Sequence, residues 1–153
     1  MAEHDNDHKI KISSVLDKKG TAIYSISPES SLKQMANEML QRKIGSLVVT
    51  DKDGSLKGII SERDFLNVVD KHTKDWEDII VSDVMTKEVI TASPDETLEQ
   101  VMSKMDRHHI RHIPIMDDNK IMGVLALGDI INALLDKSSV SYTHLTLPTI
   151  AIV

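Results

Sequence analysis

Two acidic residues of the sequence, Asp64 and Asp129, stand in similar surroundings, GIISERD and GVLALGD. Each follows an apolar run and a short turn and precedes an amphipathic run, so each is predicted to lie at the start of a helix. The first turn of a helix carries unpaired N–H groups and a partial positive charge, which suit an anionic group. A carboxylate beside it accepts hydrogen bonds from hydroxyls. Together these features indicate a site for a ribose phosphate.

The composition limits the classes of protein to which the chain can belong. Of its 153 residues, 41% are hydrophobic and 27% are charged, as in soluble globular proteins. The net charge of −6 disfavours a nucleic-acid partner, and the absence of Cys excludes disulfides and thiolate metal ligands. No apolar run approaches the roughly 20 residues that span a membrane, and the polar start lacks the apolar core of a signal peptide. A cytoplasmic protein without membrane contact is therefore expected.

One unit occurs twice in the sequence. Capping boxes of the form S-x-x-Q and T-x-x-Q begin at Ser31 and Thr97, an offset of 66 residues that also separates the preceding SPES and SPDE motifs. Each box leads into an apolar helical stripe and then into two short apolar runs joined by a polar turn. The second turn is one residue shorter, so the offset falls to 65, the separation of Asp64 from Asp129. A strand, helix, strand, strand, helix order is predicted for each copy.

The predicted fold class is α+β, with two pseudo-symmetric β-α-β-β-α repeats packed through their sheets, because each repeat alone is too small to bury both faces of its sheet. The helix after Asp64 is predicted to bury Phe65, Leu66, Val68 and Val69. The predicted boundaries are a disordered tail at residues 1–9, a first repeat at 10–72, a linker at 73–79, a second repeat at 80–137 and a terminal segment at 138–153.

Two of these segments need separate comment. Trp76 in the linker is predicted to pack between the repeats, with stacking on a bound base as the alternative. Residues 138–153 contain no Asp, Glu, Lys or Arg, although the rest of the chain is rich in charge. They resemble the translation of sequencing-adapter read-through, so we assign them no function.

The segments SPESSLKQM, SPDETLEQV, GSLVVTDKDGSLKGIISERD and RHIPIMDDNKIMGVLALGD resemble a tandem of cystathionine-β-synthase-type (CBS) domains, a Bateman module. The resemblance covers residues 10–136 and is closest to small stand-alone bacterial CBS-pair proteins. It implies a regulatory module that binds an adenosine-containing ligand (AMP, ADP, ATP, NAD or S-adenosylmethionine) between the repeats, and it implies a homodimer. Inosine monophosphate dehydrogenase also carries a CBS pair, but its catalytic barrel of roughly 250 residues does not fit this chain.

The resemblance also implies roles for individual residues of the first repeat. Asp64 is expected to accept hydrogen bonds from the ribose, although an acid at this position also suits plain helix capping. Ser61 is expected to approach a phosphate, whereas Glu62 and Arg63 are expected to be solvated. The ligand-binding residues implied in this way also include the base cradle around Thr21 and Ala22, next to Lys19 and Gly20.

The basic stretch at residues 107–112, before the fifth predicted strand, is expected to serve the same cleft from the second repeat. The resemblance implies that Arg111 and His112 reach the phosphate of a ligand held by Asp64, while Asp129 has mainly Lys43. Ala126 and Gly128 stand where the first repeat has a serine and an arginine, so a second full site is not expected. A solvated basic edge, or a metal held by His108 and His112, are the alternatives; no metal site is predicted.

Catalysis is not expected, because the sequence has no nucleophile elbow, no paired acid and base, and no Walker-type loop. No cofactor is required by this interpretation, in which an adenine nucleotide acts as a regulatory ligand. The alternative function is a dimerising scaffold that binds no ligand.

Overall fold

A computed structural model describes residues 9–20, 22–72 and 74–138. Its architecture is α+β, with two repeats, as predicted. Thr21, Thr73, residues 1–8 and residues 139–153 lie outside the described part, and with them most of both predicted tails. In chain order the elements are α1 (Ile12–Lys19), β1 (Ser25–Ile26), α2 (Leu32–Arg42), β2 (Ser46–Thr50), β3 (Leu56–Ser61), α3 (Glu62–Lys71), two 3-10 turns (Trp76–Asp78 and Val81–Asp83), α4 (Leu98–His108), β4 (His112–Asp117), β5 (Lys120–Ala126) and α5 (Leu127–Ser138).

The two sheets differ in size. In the first repeat β1 runs parallel to β2, and β2 pairs antiparallel with β3. The second repeat pairs β4 antiparallel with β5, and its predicted first strand is only an isolated parallel bridge between Ala92 and Ile115. The prediction of a full strand there was wrong, and Pro114 explains why. The corresponding Val48 donates its N–H to Tyr24 O at 3.3 Å, whereas proline has no N–H to donate.

The second hairpin explains the change of offset. Asp118 and Asn119, between β4 and β5, have φ angles of 48° and 64°, as in the two-residue turns that suit antiparallel hairpins. The first hairpin instead closes through Gly54 at φ 86°.

The predicted capping boxes are present in different degrees. Gln34 N donates to Ser31 Oγ at 3.1 Å, and Thr97 and Gln100 make both reciprocal bonds.

Each repeat completes its core with the segment that begins the other repeat in the sequence. Ile12 of α1 is buried in the core of the second repeat, and Val81 is buried in the core of the first. Equivalent backbone bonds tie both segments down: Ile12 N donates to Glu96 O at 2.8 Å, and Val81 N donates to Ser30 O at 2.8 Å. We call residues 10–19 and 79–86 the exchanged segments. The packing units therefore differ from the sequence repeats, and the two halves cannot separate without opening both cores.

The faces of the sheets that point away from these cores are also covered. Val48 and Pro114, at equivalent places in β2 and β4, are both buried. Because successive side chains of a strand point to opposite faces, these two residues lie on the faces away from the core residues next to them. Their burial agrees with the packing of the repeats through their sheets. No helix among the described residues is long and apolar enough to cross a membrane.

Two strand glycines mark where the exchanged segments come closest to the sheets. A Cβ on Gly58 would lie 2.6 Å from Met85 Sδ and 2.8 Å from the carbonyl oxygen of Thr86. A Cβ on Gly123 would meet Leu16 Cδ2 at 2.8 Å. These glycines, which frame the two repeated turns, are therefore required by close packing of the chain against itself.

A Cβ on Gly58 would meet backbone, whereas a Cβ on Gly123 would meet the end of a side chain. Alanine substitutions at the two glycines are therefore expected to differ in their cost. Gly58→Ala is expected to lower the free energy of unfolding by about 1–3 kcal/mol, because a backbone carbonyl cannot move aside easily. Gly123→Ala is expected to cost less, because the end of a leucine side chain can rotate away. Urea denaturation of both variants measures the two costs. An equal or larger loss for Gly123→Ala would contradict the explanation.

Candidate functional site

The two acidic residues lie at the starts of α3 and α5, as predicted, and both cap their helices. Asp64 Oδ2 accepts from Ser61 N at 2.9 Å and from Ser61 Oγ at 3.3 Å. Asp129 Oδ2 accepts from Ala126 N at 2.8 Å. The capping role that the sequence left open is therefore present at both sites. It occupies one oxygen of each carboxylate, and within the described part of the chain Oδ1 of neither has a hydrogen-bond partner.

The start of α3 meets the start of β4 across the boundary between the repeats. A Cβ on Gly45 would lie 2.7 Å from Glu62 Oε1 and 3.0 Å from His112 Nε2, so these two side chains converge on one point. Gly45 also accepts a hydrogen bond from Glu62 N at 3.1 Å through its carbonyl oxygen. We call the space between residues 61–64 and residues 109–112 the first cleft.

A second contact closes the first cleft. Arg63 Nη1 donates to the carbonyl oxygen of His109 at 2.9 Å, from the first turn of α3 to the C-cap residue that follows α4. His109 has φ 55°, the left-handed conformation of many helix ends. Glu62 and Arg63 are exposed, as expected of solvated residues, but both side chains are directed at the second repeat. The prediction that they lie on the solvated surface is confirmed, and their contacts with the second repeat were not expected.

The charge at the first cleft depends on His112, which is half-buried. Burial lowers the pKa of His112 below its ordinary value, because the charged imidazolium loses its hydration. The carboxylates of Glu62 and Asp129 act in the opposite direction, and Lys19 and Arg111 add to the lowering. The ring is therefore mainly neutral at neutral pH. A bound anion would favour its protonation.

The second cleft, at the start of α5, is built differently. Asp129 Oδ2 forms an ion pair with Lys19 Nζ at 2.8 Å, and Lys19 also donates to the carbonyl oxygen of Val124. The sequence assigned mainly Lys43 to Asp129, whereas Asp129 pairs with Lys19 in the structure. Lys43 is an exposed residue that follows α2, and its part in binding a ligand stays a prediction. The exchange of segments is the reason for the pairing with Lys19, because it brings the last residue of α1 to the second repeat. A groove of about 640 Å³ between α1 and α5 adjoins this ion pair.

The other predicted site residues take varied positions. Arg111 is exposed, and its carbonyl oxygen accepts from Leu127 N at 2.8 Å. Ala22 is exposed, and Thr21 is outside the described residues. Ser61 and Asp64 are in contact, while Arg111 and His112 belong to the facing segment of the first cleft. These placements leave the predicted ligand contacts as predictions.

The structure bears on two further suggestions from the sequence, a metal held by His108 and His112 and the packing of Trp76. Helix α4 ends at His108, so His108 and His112 do not share a helix face. Within the described ranges, no group of three or more His, Asp or Glu side chains could hold a metal ion. Trp76 packs edge-on against Phe65, with ring centroids 5.2 Å apart, so it anchors the linker to α3.

Sequence reasoning missed the roles of Gly45, Glu62 and Arg63. The signal was present in the differences between the repeats. Gly45 stands where the second repeat has Arg111, and Arg63 stands where it has Gly128. Where one repeat has glycine and the other has arginine, only one of the two pseudo-symmetric clefts receives a long side chain.

Comparisons with known proteins agree with this architecture. The family model described as CBS domain matches residues 15–71 and 81–136. The CBS domain-containing protein YhcV of Bacillus subtilis (strain 168) is 33% identical over 129 residues, which cover 84% of this chain and 91% of that protein. The crystal structure of the CBS-domain containing protein ATU1752 from Agrobacterium tumefaciens matches with a TM-score of 0.79 and 32% identity, covering 80% of this chain and 92% of that one.

A similarity to an enzyme is narrower. Inosine-5'-monophosphate dehydrogenase of Nitrosopumilus maritimus (strain SCM1) is 34% identical over 110 residues, which are 71% of this chain but 22% of the enzyme. The match leaves most of the enzyme without a counterpart in this sequence.

Proposed function

Because the chain belongs to the CBS-domain family of regulatory modules, we propose that it is a non-catalytic sensor of an adenosine-containing ligand bound in the first cleft. The ligand is AMP, ADP, ATP, NAD or S-adenosylmethionine. The observation that carries the proposal is the convergence of Glu62 and His112 on Gly45, because it brings the start of α3 against the basic segment of the other repeat.

The groups around the first cleft have the chemistry that such a ligand needs. Asp64 Oδ1 is available to accept from a ribose hydroxyl while Oδ2 caps the helix. The start of α3 offers a partial positive charge to a phosphate, beside the hydroxyl of Ser61. Arg111 adds a permanent positive charge, and His112 gains one when an anion raises its pKa. None of these roles requires a bond to be made or broken in the ligand.

The second cleft supports weaker binding in this proposal. Asp129 is already neutralised by Lys19, and Ala126 has no hydroxyl for a phosphate. We therefore propose one main site in each chain. The nucleotide is a regulatory ligand here and not a cofactor.

A homodimer is the second part of the proposal. The prediction that Leu66 is buried was wrong, because it is 65% exposed, about 100° around α3 from Phe65. Its counterpart Ile131 is 46% exposed, and Leu127 and Leu135 extend the same stripe along α5 at intervals of four residues. Exposed apolar side chains in one stripe favour burial against another surface. A second copy of the chain is the partner that we propose for them.

Thermal unfolding in the presence of each candidate ligand tests the sensor. The matching ligand at 100 times its dissociation constant is expected to stabilise the protein by about 2.7 kcal/mol. Adenosine and inorganic phosphate serve as controls for the two halves of a nucleotide. No shift with any of the five ligands, for a chain that light scattering shows to be dimeric, would favour the ligand-free scaffold instead. The expected cytoplasmic location stays a prediction.

A further inference from the structure

Arg63 forms a direct link between the two repeats that has no equivalent on the other side of the molecule. Its guanidinium binds the carbonyl oxygen of His109, which ends α4. By the symmetry of the repeats, the matching pair is Gly128 and Lys43, and Lys43 also ends its helix with φ 55°. Gly128 has no side chain, and a Cβ added there would meet no atom within 4 Å. The second cleft therefore has the same acceptor but no donor.

The acceptor of this link is one of the weaker partners that an arginine can have. A carbonyl oxygen is neutral, although its place at the end of a helix adds some partial negative charge. Hydrogen bonds between two charged groups are stronger, and a phosphate offers a guanidinium two parallel bonds. An anionic group that enters the first cleft therefore competes for Arg63 on favourable terms.

Release of this link would change a defined part of the second repeat. The end of α4 is closed by two backbone bonds, from His109 N to Asp106 O at 3.3 Å and from Ile110 N to Met105 O at 3.0 Å. The next residues lead directly to His112 and β4. A change at His109 is thus passed to the same strand that faces the first cleft.

We propose that Arg63 is a latch operated by the ligand: it ties the start of α3 to the end of α4, and the anionic group of a bound nucleotide draws it away. Only the second step, the release of Arg63 by the ligand, rests on the proposed function. The latch explains how binding changes the protein. The ligand contacts Arg63 more favourably when Arg63 has left His109, so binding shifts the population toward the unlatched state.

Amide hydrogen exchange, followed by NMR at His109 and Ile110 in the full chain, tests the latch. Without ligand, Arg63→Ala is expected to speed exchange of these two amides roughly three- to tenfold, as for an exposed hydrogen bond to a charged group. Arg63→Lys keeps the charge, and its exchange rates at these amides should lie between those of Arg63→Ala and those of the unsubstituted chain. Gly128→Arg is the matched control, and it should slow exchange at Lys43 and Ile44 by adding the missing donor. Unchanged exchange in Arg63→Ala would overturn the latch.

The ligand arm of the experiment uses AMP and adenosine. AMP is expected to speed exchange at His109 and Ile110 in the natural sequence and to have no further effect in Arg63→Ala. Adenosine, which lacks the phosphate, should leave both amides unchanged. Equal effects of AMP and adenosine would overturn the release step. If AMP does not bind, the same comparison is made with whichever of ADP, ATP or NAD does bind. If none of the five candidate ligands binds, the proposed function and the release step are both overturned, whereas the ligand-free arm still decides whether Arg63 ties the repeats.

Discussion

Asp64→Ala is expected to weaken binding of the adenosine ligand at least about tenfold and to abolish the thermal shift at moderate ligand concentrations. A ribose hydroxyl would lose its acceptor, and a polar group left unpaired on binding costs about 1–3 kcal/mol. Asp129→Ala is expected to retain most of the binding, because Asp129 is committed to Lys19. Isothermal titration of both variants gives the two affinities. The opposite ranking would move the main site to the second cleft.

The capping role of Asp64 requires a second variant. Removing a residue that caps a helix costs about 0.5–2 kcal/mol in stability, so alanine changes folding as well as binding. Asp64→Asn keeps an oxygen for the N–H of Ser61, but it removes the negative charge and replaces the other acceptor oxygen with an NH2 donor. If the carboxylate binds the ribose, Asp64→Asn should lose affinity while its melting temperature without ligand stays close to that of the natural sequence. Unchanged affinity in Asp64→Asn would mean that Asp64 only caps α3.

Ile12→Ala is expected to lower the free energy of unfolding by about 2–5 kcal/mol. Ile12 is fully buried in the core of the second repeat, although it belongs to the first repeat in the sequence. Leu40→Ala, at a position that is 78% exposed, should change stability by about 0.5 kcal/mol or less. Urea denaturation measures both. A loss below about 1 kcal/mol for Ile12→Ala would contradict the packing of α1.

A double-mutant comparison shows which repeat α1 completes. Leu32 and Leu98 occupy equivalent buried positions, one in each core. Ile12→Ala is expected to be non-additive with Leu98→Ala by about 0.5–3 kcal/mol, and additive with Leu32→Ala. Coupling to Leu32 in place of Leu98 would show that α1 folds onto its own repeat and would disprove the exchange.

Much of the fold could be predicted from local patterns. The capping boxes beginning at Ser31 and Thr97 lie at the starts of α2 and α4, because the hydrogen bonds of a cap involve only neighbouring residues. The two hairpins and the helices after Ser61 and Ala126 were also predicted. The absence of a full strand at Ala92 was not predicted, because the length of a strand there depends on whether a residue of a distant strand can donate an N–H. Pro114 cannot donate one.

The first cleft could be predicted only in part. The likeness of the repeats drew attention to Asp64 and Asp129, whose local surroundings are nearly the same. Among the described residues, Asp64 accepts hydrogen bonds from Ser61, whereas Asp129 is bonded to Lys19 as well as to Ala126. This difference depends on which segment crosses to which repeat. The exposed positions of Glu62 and Arg63 were correctly expected, but exposure does not show the direction in which a side chain points.

The sequence by itself determined that the chain has two copies of one unit, where each helix begins, and that both carboxylates lie at helix starts. These features follow from hydrogen bonds and apolar periodicity over a few residues. Only the tertiary structure decided that the exchanged segments fill opposite cores, that Lys19 pairs with Asp129 and that Arg63 reaches His109. Arg63 and His109 are 46 positions apart in the sequence, and Lys19 and Asp129 are 110 positions apart. No local pattern determines these contacts, because they depend on how the two repeats pack against each other.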